Sequence, residues 1–410
     1  MIIVGAGPAG TATAISLQNS GLSVALLDKA VFPRDKICGD ALSVDVINQL
    51  KILSPLLSKE FHAFDKKVPA YGVRIFSPDG NHVDVPFYYK GEKASGYISQ
   101  RIAFDHLLIR HLTHVSNVRF FEDCEVISVK CIADSVQVKT NNGTFNAAVI
   151  VGSDGAHSVI GKELQPTTLD KKHYSAGLRV YYEGVTSFHP ENFIELHFFK
   201  NILPGYLWIF PLPNNRANVG IGVLSSVVSK SKIKLRQILD DLITTDDRFK
   251  ERFRCANALE TVKGFGLPLG SRQRKLSGDR FLLTGDAASL IDPFSGEGIA
   301  NAIRSGRIAA SHITNAFQRQ DFSASFNLEY DREIYRRMGK ELRLSYGLQK
   351  LCRYPFLFNF IVKKANNSPY IRQFLIEALA NVEKKKSLLN PRFYWRMVFG
   401  NREYRVKDEE

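Results

Sequence analysis

The sequence predicts an α/β protein with an α+β second domain, and three observations carry that prediction. The first ten residues, MIIVGAGPAG, read as a short apolar strand running into a glycine-rich turn. Apolar strand-like segments ending on Asp-Gly or Gly-Asp recur at residues 149–155 and 281–286. Between them, alternating apolar and polar residues with turn signals such as Pro78-Asp79-Gly80 and Pro213-Asn214-Asn215 read as antiparallel strands. The expected architecture is a Rossmann-like domain built from residues 1–67, 97–165 and 276–320. It is interleaved with an antiparallel β-sheet domain from 68–96 and 166–275, and C-terminal helices follow over 321–410.

Taken in order, residues 1–4 form a strand, GAGPAG fills 5–10, and a small-residue helix runs over 11–20 to Gly21. A second strand over 23–27 closes on Asp28, 18 residues after Gly10, where a carboxylate meets a ribose hydroxyl in a dinucleotide-binding βαβ unit. Gly5 serves the tight turn, Gly7 the approach of backbone to pyrophosphate, and Gly10 the packing of helix on strand. An amphipathic helix is expected over 101–114, then strands near 118–121, 125–129, 136–140 and 147–152. Residues 68–84 and 173–223 carry the antiparallel pattern.

Residues 281–306 supply a second ligand signal. Gly285-Asp286 follows an apolar strand, and Pro293, Gly296 and Gly298 lead into a helix beginning near Ile299. A carboxylate at a strand end fixes a ribityl or ribose hydroxyl. The helix N-terminus behind the Gly-Glu-Gly turn brings N–H groups and a positive dipole end to an anionic ring edge or phosphate. That arrangement suits a flavin better than a nicotinamide. Gly220-Ile221-Gly222 and Gly264-Phe265-Gly266 lie in strand-like surroundings, so a separate nicotinamide domain is not expected.

The 410 residues are 44% hydrophobic with a mean hydropathy of -0.13, enough to bury a large core. No apolar run approaches the roughly 20 residues of a membrane span, and the N-terminus lacks the basic start of a signal peptide. The five cysteines form no CxxC pair. A cytoplasmic protein is expected. The net charge of +14 is uneven: residues 331–410 hold 18 Lys/Arg against 9 Asp/Glu. No helix-turn-helix, finger or base-stacking pattern accompanies this charge, so a nucleic acid partner is not expected. Lys363-Lys364 and Lys384-Lys385-Lys386, among Phe356, Phe358, Phe360, Phe374, Phe393, Tyr394 and Trp395, suggest peripheral contact with anionic lipid at the inner face of the membrane. A solvated helical bundle is the competing reading. Nothing in the sequence sets the oligomeric state, and a monomer fits. His106, His111 and His114 lie on one amphipathic helix with no cysteine nearby, which predicts a solvated helix face and no metal.

In the order GxGxxG, Arg101, Asp154-Gly155, Gly285-Asp286, the chain resembles the flavoprotein hydroxylase superfamily typified by p-hydroxybenzoate hydroxylase, over most of residues 1–320. Within it, RDKICGDALS at 34–43, PGYLWIFP at 204–211 and PFSGEGI at 293–299 are similar to the geranylgeranyl reductase family. The pattern departs at Leu212, where that family usually has lysine, and flavin halogenases carry a similar tryptophan motif. The resemblance implies FAD, with Gly5, Gly7, Ala9, Gly10, Asp28 and Lys29 on its ADP half. Arg101, Asp154 and Gly155 would lie toward the pyrophosphate, and Val126 would be a further cofactor contact. Gly285 and Asp286 would hold ribityl and phosphate, and Lys36, Cys38, Gly39, Pro293, Gly296, Glu297, Gly298 and Ile299 would complete the cofactor contacts.

Tyr206, Trp208 and Phe210 share one face by strand alternation and form either ordinary core or an aromatic wall for a hydrophobic small molecule or lipid. The implied reaction is reduction of isoprenoid carbon–carbon double bonds, with Cys38 and Tyr206 as candidate proton donors and Trp208 as a further catalytic candidate. NAD(P)H or reduced ferredoxin would supply the electrons. A flavin-dependent monooxygenase or halogenase is the alternative, and a non-catalytic flavin-binding, membrane-associated protein a minor one.

Overall fold

In a computed structural model, residues 1–89, 91–380, 386–390 and 392 are described. A six-stranded sheet runs in the order Val118–Phe121, Val24–Leu27, Ile2–Val4, Ile150–Gly152, Phe281–Leu283, Ser277–Gly278. The first five strands are parallel, with Ile2 beside both Ala25 and Ile150 and Ile150 beside Phe281; Ser277–Gly278 is an antiparallel edge. Their sequences IIV, VALL, IVG and FLL are apolar without alternation because helices cover the sheet. Helices Pro8–Ser16 and Ile299–Arg319 pack closely together beside it, where a Cβ on Gly306 would meet Ala9 O at 2.4 Å and Thr13 Oγ1 at 2.9 Å.

The second sheet begins with Asn257–Ala258 and Lys263–Pro268, both paired to Tyr174–Glu183. It continues through Arg216–Leu224, Tyr206–Leu212, Ile194–Phe198, Gly72–Phe76 and His82–Pro86. All but one of its joints are antiparallel. Ile194–Phe198 pairs with Gly72–Phe76 in parallel, because these strands come from distant parts of the chain and no hairpin connects them. Val180, Leu207, Ile209, Val219 and Ile221 face a core shared with helix Leu235–Thr245. On the other side, Ile75, Val83, Val85 and Phe198 meet Leu348, Phe358, Val362 and Leu375 of the C-terminal helices. The Phe198 and Phe358 rings meet edge-on at 4.7 Å, a contact that contributes about 0.5–1.5 kcal/mol beyond burial.

Several sequence expectations are refined. Residues 126–147 form a separate three-stranded meander, Val126–Ile132, Ser135–Thr140 and Gly143–Ala147, the last strand gained by a turn at Asn141-Asn142. The helix Arg101–His111 ends in a tighter turn, Leu112–His114. The solvated reading of its histidines fails for His111, which is 2% exposed. Glu60, carried on helix Pro55–Ala63, bonds His111 Nδ1 at 2.7 Å and His114 Nε2 at 3.2 Å. An acidic partner from another helix is invisible to spacing along one. In the basic C-terminal region Phe358 is buried, whereas Phe356 is 74% exposed. Lys384, Lys385, Phe393, Tyr394 and Trp395 lie outside the described residues. Among the described residues, no helix is long and apolar enough to cross a membrane.

Candidate functional site

The glycine-rich turn sits at the carboxyl edge of the parallel sheet. A Cβ on Gly10 would lie 1.8 Å from Gly5 O, so only glycine lets the helix start this close to the strand. A Cβ on Gly7, by contrast, would meet nothing nearer than Arg34 Nη2 at 3.7 Å. The backbone is thus open on the side where a pyrophosphate approaches. Asp28 accepts hydrogen bonds from Ala6 N at 2.7 Å and Ala30 N at 2.9 Å, holding the turn against the second strand, with Lys29 exposed beside it. Ala9 lies beneath Gly285, and Val126 is buried at the start of the meander.

Cations gather around this edge. Arg101 is buried and paired bidentately with Asp105 at 2.7 Å, and Arg34 reaches the same carboxylate at 2.8 Å. Burial works against the Arg101 charge, but Asp105 and the nearby Cys38 sulfur outweigh it and raise its pKa. The Lys36 ammonium lies 3.2 Å from the Phe265 ring centroid. Burial lowers its pKa to about 8, opposed by Asp286 and reinforced by Arg101. Asp154 Oδ2 caps the following helix through Val159 N (2.6 Å) and Ile160 N (3.2 Å). Its Oδ1 is buried with no hydrogen-bond partner among the described residues, and burial raises its pKa. Gly155 follows in a left-handed turn.

The segment after Phe281–Leu283 turns through Gly285–Ala288 and returns at Pro293. Asp292 Oδ1 accepts from Phe294 N, Ser295 N and Ser295 Oγ, shaping the Gly296-Glu297-Gly298 turn into helix Ile299–Arg319. Asp286 Oδ1 lies beside Gly298, joining both ends of the segment. Glu297 is hydrogen-bonded to Ser43, the N-cap of helix Val44–Leu53. Burial pushes its carboxyl up to about 7, with the Ser43 bond opposing and Asp45 and Asp292 adding to the rise.

Tyr206, Trp208 and Phe210 lie along one face of their strand, with ring centroids 6.4 and 6.3 Å apart. Register places Tyr206 opposite Gly222 and Trp208 opposite Gly220. A Cβ on Gly220 would come within 2.1 Å of the indole, so that glycine leaves the ring room to lie across the neighbouring strand. Tyr206 donates to Ser295 O of the Gly-Glu-Gly segment. Burial raises its pKa, keeping the hydroxyl protonated. Gly39 lies against the Phe210 ring.

Residues not predicted tie these parts together. Asn218, opposite Phe210 and Tyr181 in the sheet, accepts from Trp208 Nε1 at 2.9 Å. It donates to Cys38 O and to Asp40 Oδ2, each at 2.8 Å. Tyr181 donates to the same Asp40 oxygen at 2.6 Å. The fully buried Arg179 holds Asp35 at 2.8 Å. The loop 34–40 is therefore pinned to the aromatic strand along its length. A polar residue inside an apolar strand, Asn218 in ANVGIGVL and Arg179 in YSAGLRVYYE, was the available signal.

An open glycine turn, a buried carboxylate oxygen without a donor, and Arg34, Lys36 and Arg101 together fit an anionic dinucleotide. Residues 1–178 match the family model of an FAD binding domain, and residues 177–265 match that of the geranylgeranyl reductase catalytic domain. The chain is 30% identical over 362 residues to a digeranylgeranylglycerophospholipid reductase of Methanocella arvoryzae, spanning 86% of each chain. It is 30% identical over 316 residues to a menaquinone reductase of Mycobacterium tuberculosis, covering 76% of this chain and 75% of that one. A geranylgeranyl bacteriochlorophyll reductase-like protein of Thermoplasma acidophilum shares the fold, with a TM-score of 0.77, 22% identity, and 88% and 90% of the two chains covered. So does halogenase PltM in complex with phloroglucinol and FAD, at a TM-score of 0.73 and 18% identity over 97% and 89%. The cofactor is FAD, and the chain belongs to the geranylgeranyl reductase family of FAD-dependent oxidoreductases.

Proposed function

We propose that this chain saturates carbon–carbon double bonds of an isoprenoid or prenyl-lipid chain. The observation that carries this reading is the aromatic face Tyr206-Trp208-Phe210 joined through Asn218 to the Cys38 loop. An aromatic face holds an alkyl chain by burial alone, at about 0.8 kcal/mol per CH₂ group, so roughly ten carbons bind tightly with little polar recognition. The names of the relatives, a reductase of digeranylgeranylglycerophospholipid and one of menaquinone, support a hydrophobic substrate.

Once reduced by NAD(P)H or ferredoxin, bound FAD would supply a hydride equivalent. The π bond is consumed as one alkene carbon gains the hydride and the other gains a proton. The Cys38 thiol and the Tyr206 hydroxyl are the groups assigned to deliver that proton, and Trp208 and Phe210 hold the chain. Lys36, Arg101, Asp154 and Asp286 would hold the cofactor. Incubation with a reductant and a polyprenyl substrate, followed by mass spectrometry, tests the reading. A gain of one H₂ per double bond supports it, and oxygenated or halogenated product contradicts it.

A peripheral contact with anionic membrane at the cytoplasmic face belongs to the same proposal. Tyr354, Phe356 and Tyr370 are 58%, 74% and 59% exposed, and exposed Arg353 and Lys363 belong to the same two helices and their connections. Each basic side chain near an anionic surface contributes about 1 kcal/mol. Cosedimentation with phosphatidylglycerol vesicles, weakened by Phe356→Ser, is the expected result. Equal sedimentation of both proteins would count against it.

A further inference from the structure

A cavity of about 630 Å³ opens between helices Ile299–Arg319 and Ala324–Leu351, on the flank of the cofactor turn. Arg304 and Arg307 face it from the first helix; Arg332, Arg336 and Arg337 face it from the second. Only Glu329 and Glu333 oppose them within the lining. Glu333 is occupied by Arg336, at 2.7 and 2.8 Å, and by Arg337. Arg304 turns to Asp45 at the rim. Arg307 is met by the neutral amide oxygen of Gln49 at 2.9 Å rather than by a carboxylate. Burial lowers the Arg307 pKa, and repulsion from Arg337 and Arg304 lowers it further, as expected of cations held together without enough counter-charge.

Guanidinium groups in this density match phosphate oxygens, which accept their paired N–H donors. The volume falls in the range of about 300–1,000 Å³ that small-molecule ligands fill. Ser311, His312, Asn315 and Glu329 add polar groups to the wall while Ile308 and Tyr330 add apolar surface, a mixed lining that suits a ribose and base. We propose that this cleft binds a phosphate-bearing nucleotide. It adjoins the flavin segment through a row of contacts between helices Val44–Leu53 and Ile299–Arg319: Gln49 to Arg307, Asp45 to Arg304, and the N-cap Ser43 to Glu297. The inference does not depend on the substrate reading above.

The test titrates FAD-saturated enzyme by calorimetry with NADPH, ADP, inorganic pyrophosphate and phosphatidylglycerol vesicles, comparing the native chain with Arg307→Gln/Arg337→Gln. Both nucleotides should bind the native chain, and the double variant should bind them at least about tenfold more weakly while remaining yellow. Equal nucleotide affinity in the two proteins, binding of pyrophosphate alone, or an effect confined to vesicles would overturn the proposal. If the variant does not fold, arginine modification by phenylglyoxal in the native enzyme serves instead. ADP should then protect Arg307 and Arg337, and unchanged labelling would overturn the proposal.

Discussion

Trp208 Nε1 donates to Asn218 Oδ1 at 2.9 Å, and the amide nitrogen of the same asparagine holds Cys38 O and Asp40 Oδ2 at 2.8 Å. One buried side chain thus couples the aromatic wall to the loop that carries Cys38. The indole and the thiol-bearing backbone keep a common position because neither can shift without breaking a bond to Asn218.

Asn218→Ala should leave Trp208 Nε1 and Cys38 O without their partner at a fully buried position, with Asp40 Oδ2 held by Tyr181 alone. A loss of about 1–3 kcal/mol in unfolding free energy is expected by urea titration. Flavin should remain bound, while the rate of substrate reduction falls at least about tenfold. Unchanged turnover in a protein destabilised by this amount would show that the coupling serves stability alone.

Gly220→Ala tests the packing of the indole. The new methyl group would sit 2.1 Å from Trp208 Cζ2 and 2.3 Å from Leu178 O, so ring and strand must both move. Overpacking of this kind costs about 1–3 kcal/mol. The chain has two tryptophans, so the emission of Trp208, read in a Trp395→Phe background, should shift toward the red as the indole is displaced.

The dinucleotide-binding half was the more legible part of the sequence. Continuous apolar strands, a glycine turn and Asp28 are local signals, whereas the order of the strands is seen only in the structure. The aromatic face was legible too, because alternation alone puts Tyr206, Trp208 and Phe210 together. What escaped was whatever depends on residues distant in the chain: the parallel joint of Ile194–Phe198 with Gly72–Phe76, the Glu60 bond to His111, and the hold of Asn218 and Arg179 on loop 34–40. Asp40 illustrates the reason. It follows Cys38-Gly39 as an unremarkable loop acid, and only the sheet brings Tyr181 and Asn218 to it.

Asp40 should leave a signature in the pH dependence of stability. Burial raises its pKa to about 6, with hydrogen bonds from Tyr181 and Asn218 opposing. The unfolded residue titrates near about 3.9, so between these values the folded state binds the extra proton. Its contribution to stability is present below that window and is lost as pH rises through about 6. Unfolding free energy measured from acid to neutral pH should therefore fall more steeply for the native chain than for Asp40→Asn. Parallel curves would place the Asp40 titration elsewhere.

Cys38→Ala and Tyr206→Phe separate the two assigned proton donors. Neither change should prevent flavin reduction, and the variant lacking the true donor should transfer to substrate about 100-fold or more slowly, with a solvent isotope effect altered from that of the native chain. If both variants keep the native rate and isotope effect, the proton comes from neither group.

The most direct test of the account is a half-reaction without oxygen. The enzyme is reduced stoichiometrically under anaerobic conditions and mixed with a polyprenyl substrate while flavin absorbance is followed. Return of the oxidised flavin spectrum, matched by saturated product, is the predicted result. A flavin that stays reduced until air is admitted, with substrate converted only then, would contradict it.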